Sequence, residues 1–153
     1  MLRQKPQPVN LAEHYDILLC YQLPDRSEVK QIAKQLKAHN VNCYPNQWEL
    51  NSNTEWLDLF TNLVGKINSL AVFVGNNGAP WEDEEVENLI WTFMEDRHIV
   101  VFIILPSALQ IPEFPPYLKR KQIIVDFRDK VDESILQLIH LISQDGKRGV
   151  EHE

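Results

Sequence analysis

Cysteine is scarce in this chain: Cys20 and Cys43 are the only two among 153 residues. That excludes a disulfide-built framework. Both sit inside apolar runs, "YDILLCY" and "VNCYP", so they read as reduced, buried thiols of a cytosolic protein, in preference to catalytic thiols. Positive charge is also short. Fifteen Lys and Arg stand against 22 Asp and Glu, a formal net charge of -7, and the basic residues are scattered. Nucleic acid and anionic membrane surfaces are therefore poor candidates as main partners. Long apolar runs are missing too. The longest, near "IVVFIIL" at 99–105, is far short of the roughly 20 residues a membrane span requires. The polar start "MLRQKPQPVN" does not resemble a signal peptide. The five histidines show no metal-ligand spacing with one another or with cysteine. No phosphate-loop motif of the G-x-x-x-x-G-K-[ST] kind occurs. Ser27, Ser69 and Ser107 stand in no visible Ser-His-acid pattern.

What the chain does contain is alternation. Apolar runs at 15–21, 41–45, 69–75, 99–105 and 122–127 read as five buried strands. Between them lie stretches at helical spacing: 26–39, with Val29, Ile32, Ala33 and Leu36; 54–67; about 81–95; and 132–144. Asp25 with Glu28 three residues on resembles a capping arrangement for the first helix. Pro106, Pro112, Pro115 and Pro116 predict an irregular crossover after the fourth strand. Strands that are apolar throughout are buried on both faces, and their alternation with helices implies a parallel sheet between helical layers. The expected fold is α/β: a flavodoxin-like, doubly wound five-stranded parallel sheet of order 2-1-3-4-5, spanning 14–144. Residues 1–13 read as a leader and 145–153 as a tail. Ligands of such sheets bind beyond the carboxyl ends of the strands.

One of those ends carries "NNGAPWEDEEVENLI", residues 76–90, with Glu82, Asp83, Glu84 and Glu85 in a row behind Trp81. Acids at a helix start interact favourably with its dipole, by about 0.3–1 kcal/mol each, and Pro80 suits the opening turn. Helical spacing sorts the four. Val86, Leu89, Ile90 and Phe93 define the apolar face, and Asp83 and Glu84 point away from it. Glu85 flanks that face on a stripe shared with Trp81, and Glu82 lies nearer its centre in the first turn. Spacing alone leaves both Glu82 and Glu85 as candidates. The acids also argue against "GNNG" at 75–78 as a phosphate loop, since they cancel the positive end of a helix. The glycines read as turn residues.

Taken together, "YDILLCY", "YPNQWELNSNTEW", "INSLAVFVGNNGAPWEDEEVENLI", "IVVFIILP" and "IIVDFRD" resemble the strands and loops of a TIR domain of the bacterial kind. The likeness covers about residues 14–143. Enzymatic members of that family cleave NAD⁺ at the nicotinamide–ribose bond, releasing nicotinamide and ADP-ribose or a cyclic relative. Their catalytic glutamate lies four residues after a tryptophan or similar residue, which maps here onto Trp81 and Glu85. The resemblance thus implies NAD⁺ as substrate, no resident cofactor and no metal, with Glu85 as the catalytic group. Tyr21 and Trp48, in the loops after the first two strands, are candidate walls for the pyridinium, a cation–π contact of about 0.5–2 kcal/mol. Arg26 is the nearest candidate cation for the pyrophosphate. The loops after the first two strands depart from the family pattern, with Asn46 and Gln47 where acids are common and "NSN" where a Pro-Gly turn is expected. A second protomer is expected to complete the site, as TIR domains self-associate in the cytoplasm. Two other readings stand beside this one: a catalytically silent TIR module that assembles with other TIR domains, and a flavodoxin-like receiver. Only Asp25 supplies an acid beyond the first strand, too few for a receiver.

Overall fold

In the computed structural model, residues 15–44, 67, 69–119 and 123–151 are described, with side chains described through residue 143. Five strands form one sheet: β1 (Ile17–Cys20), β2 (Cys43–Tyr44), β3 (Ser69–Val74), β4 (Ile99–Ile104) and β5 (Ile123–Asp126). The order is β2-β1-β3-β4-β5 and every pairing is parallel. This is the expected doubly wound arrangement. β1, β3 and β4 are each shorter than the apolar run that predicts them. Tyr15 reaches Ile67 only through an isolated bridge.

The described helices are α1 (Arg26–Ala38), α2 (Glu84–Glu95), the short α3 (Pro116–Lys119) and α4 (Val131–Glu151). β1, β3 and β4 are buried at every position, as continuous apolar strands between helical layers must be. α1 buries Val29, Ile32, Ala33 and Leu36, and α2 buries Val86, Leu89, Ile90 and Phe93, the stripes their spacing predicts. Each such large side chain contributes about 1.5–3 kcal/mol on burial. α1 closes through Asn40 in the left-handed region, φ 67°, with Val41 N–H donating back to the Leu36 carbonyl.

Several expectations shift. The helix expected from 81 is split: Pro80–Glu82 is a 3-10 turn, Asp83 is extended, and α2 starts only at Glu84. Asp83 does not point idly into solvent. Its carboxylate accepts from the amides of Glu85 (2.9 Å) and Val86 (3.3 Å), which makes it the N-cap. Asp25 occupies the N-cap position of α1 but makes no side-chain cap bond. The proline-rich stretch after β4 is irregular until α3, as expected. α4 runs beyond 144, to Glu151. The second helix expected at 54–67 and Trp48 lie outside the described residues, apart from Ile67.

Candidate functional site

The loops beyond the carboxyl ends of β1, β3 and β4 are tied together by side chains. Asp25 leaves the end of the first loop and turns inward until 5% of it is exposed. Asn77 donates to its Oδ1 at 3.1 Å, while its buried Oδ2 has no hydrogen-bond partner. Gly75 makes that approach possible: a Cβ there would come within 2.5 Å of Asp25 Oδ1. Burial, then the charge of Glu28, push the Asp25 carboxyl above its ordinary value, and the Asn77 bond offsets only part of this. Glu28 accepts from both the amide and the hydroxyl of Ser107. Asn76 donates to the Ser107 carbonyl and accepts from the Leu109 amide, each at 2.8 Å. Residues 25, 28, 76, 77, 107 and 109 thus staple three loops that are distant in sequence.

Trp81 is buried. It stacks on Phe114 at 4.4 Å and meets Phe102 edge-on at 5.6 Å, and the two phenylalanines meet edge-on at 5.0 Å. This trio fixes the 3-10 turn against the loop after β4. Beside it opens a cleft of about 1030 Å³, with Trp81 and Phe114 among its lining residues. Glu82, Glu87, Glu113 and Lys119 also line it, and Lys119 lies 3.7 Å from Glu113. Three acids against one already paired cation favour a neutral or cationic occupant.

The predicted site residues do not all converge. Glu82 lines the cleft; Glu85 does not, and is exposed on the first turn of α2. Tyr21 is buried directly after β1. Burial pushes its phenol up to about 12, although nearby Arg26 pulls it down. Arg26 opens α1 on the same edge and is half-buried. Trp48 lies outside the described residues. Both cysteines are free and buried, and burial drives each thiol up to about 12, so neither is a nucleophile at neutral pH. The charge of Asp83 adds to the effect at Cys20, which places the cap of α2 near the end of β1. Among the described residues no group of three or more His, Cys, Asp or Glu could hold a metal ion. No described helix is long and apolar enough to cross a membrane.

The sequence profile of the TIR domain family matches residues 17–139. The chain belongs to the TIR family. Solved structures agree on the fold. The TIR domain of the Toll-related receptor TRR-2 from Hydra magnipapillata superposes with a TM-score of 0.59 at 16% identity, covering 84% of this chain and 98% of that one. A TIR-STING receptor from C. gigas, solved with 2',3'-cGAMP, gives 0.62 at 14% identity over 92% of this chain and 42% of its own. The TIR domains of the Roq1 resistosome, which recognises the effector XopQ, give 0.55 at 15% identity over 82% and 98%. No curated protein matches the sequence.

In this TIR domain the loop staples are what sequence reasoning missed. Asp25 looked like a helix cap because Asp followed by Glu three residues later is a capping pattern. The available signal was Gly75, whose missing side chain serves the close approach of Asp25 and not a turn. Gly78, at φ 89°, is the true turn glycine.

Proposed function

We propose that this TIR domain cleaves the nicotinamide–ribose bond of NAD⁺, with Glu85 as the catalytic carboxylate. The placement of Glu85 supports this reading. It stands exposed at the carboxyl edge of the sheet, and its side chain has no hydrogen-bond or ion-pair partner among the described residues. Its backbone is held by the Asp83 cap, and Trp81, four residues earlier in the preceding 3-10 turn, is locked in the aromatic trio. A carboxylate presented this way can stabilise the positive charge that develops on ribose as nicotinamide departs. The C1′–N bond breaks and its electron pair goes to the pyridinium nitrogen, so nicotinamide leaves neutral. A water oxygen bonds to C1′ and its proton passes to solvent, giving ADP-ribose. Attack by an adenine nitrogen of the same molecule gives a cyclic product instead, with the positive charge passing to the adenine. Arg26 is the cation closest in the chain to the first loop and suits the pyrophosphate. Tyr21 is buried, which leaves Trp81, a lining residue of the cleft, and Trp48 as candidate walls for the pyridinium.

A second reading, a TIR module that assembles without chemistry, draws on the cleft excluding Glu85. Nicotinamide release by the full chain, followed over a wide dilution series, separates the two. The enzyme reading expects specific activity to rise with concentration, because the competent assembled state is rare in dilute protein. Glu85→Gln should then lower the rate at least about 100-fold, as for loss of one electrostatic stabiliser. Glu84→Gln, exposed one residue away, should change it less than about twofold, because solvent screens its charge. Loss of activity in Glu82→Gln with Glu85→Gln active would move the catalytic role to the cleft-lining acid. A wild type silent at every concentration leaves the assembly module.

A further inference from the structure

Two helices on opposite sides of this sheet carry opposite charge. β2 lies on one flank of β1, and β4 lies on the other side, beyond β3. Right-handed crossovers therefore place α1 and α2 on opposite faces. The packing agrees: α1 lies beside α4, and α2 lies on β3 and β4. On one flank of its buried stripe, α1 exposes Lys30, Lys34 and Lys37. None of the three is ion-paired within the described residues. The one acid of α1, Glu28, is turned to Ser107. Residues 81–96 hold seven acids and no base. The outward stripe of α2 is Glu84, Asn88, Trp91 and Glu95, at successive steps of four, three and four residues. Trp91 stacks on Tyr117 at 4.7 Å yet remains 41% exposed, in a chain that buries nearly all its other described aromatics. An exposed tryptophan between unpaired acids is a surface suited to lysines, whose stems cover the ring while their ammonium groups reach the carboxylates.

We propose that a second copy of this chain docks its α1 on the outer face of α2, setting Lys30, Lys34 and Lys37 against Glu84, Trp91 and Glu95. The lysine row is the shorter of the two: seven residues of helix separate Lys30 from Lys37, about 10 Å, and eleven separate Glu84 from Glu95, about 16 Å, so the lysines fit within the acidic stripe. A chain of net charge -7 repels its copies in most orientations, so complementary faces select this one. The two surfaces differ and lie on opposite faces of the sheet. The contact is therefore head-to-tail and repeats from copy to copy instead of closing on a pair. It does not depend on the chemistry at Glu85.

Sedimentation velocity of the full chain at low and high sodium chloride tests this. Wild type should assemble with rising concentration at low salt and dissociate at high salt. Lys30→Glu with Lys34→Glu should raise the concentration for assembly at least about tenfold, as should Glu84→Lys with Glu95→Lys. All four residues are exposed, and thermal melts confirm that the variants fold. Mixing the two double variants should restore assembly, because each reversed α1 then meets a reversed α2. The chain carrying all four changes should also assemble. A wild type that stays monomeric at low salt, assembly indifferent to either pair, or failure of the mixture to recover would each overturn the proposal.

Discussion

Asp25 and the run from Glu82 to Glu85 sit at the same edge of the sheet. One carboxylate is sealed at 5% exposure, and the other four stand on the surface. The exposed acids keep their hydration, and their one structural duty, capping α2, falls to Asp83. Asp25 lost water and gained only the Asn77 amide on one oxygen. An exposed carboxylate can meet a substrate or a partner without prior rearrangement. A buried, half-satisfied one instead holds loops in place, at a cost in stability set by its charge.

The exposed region should break first at its base. Trp81→Ala removes one ring of the aromatic trio and should cost about 3–5 kcal/mol in urea-induced unfolding. Nicotinamide release should fall with it, because the turn before Glu85 loses its anchor. The buried region should break at Gly75. Gly75→Ala drives a methyl into the Asp25 carboxylate and should cost about 1–3 kcal/mol. In an Asp25→Ala background that penalty should shrink. An undiminished penalty would mean that Gly75 serves the backbone alone.

Smaller in size, but sharper on the contrast, is pH. The folded Asp25 carboxyl lies above its unfolded value. Its ionised form therefore costs stability: the cost is absent below the unfolded range, about 3.9, and develops as pH rises through the elevated folded value. Asp25→Asn should accordingly raise stability at neutral pH by about 1 kcal/mol, and the gain should vanish in acid. Asp126 is the opposite case. Arg128 grips both its oxygens, Nη2 at 2.7 Å, and holds its carboxyl below the usual range. Its contribution is present above the unfolded range and is lost as pH falls through the folded value. Because solvent screens this pair, its contribution should be small, and Asp126→Asn should flatten only the acid limb. Thermal melts from pH 3 to pH 8, on the order of one unit apart, would resolve both signs.

The same contrast marks what the sequence could convey. The strands and the buried stripes of α1 and α2 follow from local periodicity, so they were legible; the stripe expected to join Trp81 and Glu85 did not form, because Asp83 is extended and α2 starts only at Glu84. The irregular stretch after β4 followed from its prolines. Tyr21 could be placed in a loop at the strand end, but its burial depended on packing between elements. Asp25 escaped for the same reason. Its partner Asn77 is 52 residues away, and no spacing rule joins them. The cleft likewise forms between segments distant in the chain, so the choice between Glu82 and Glu85 could not be made from helical geometry. It rests on the family likeness for Glu85 and on the cleft lining for Glu82.

The loop staples also bear on how this edge breathes. The amides of Ser107 and Leu109 donate to side chains of Glu28 and Asn76, instead of to any strand. Neither amide can meet solvent deuterium until its side-chain partner lets go. Since Asn76 also holds the Ser107 carbonyl, release at one point loosens the other. Hydrogen exchange at 107 and 109 should therefore be slow for a loop and matched in rate, marking the carboxyl edge as a single opening unit instead of three independent loops.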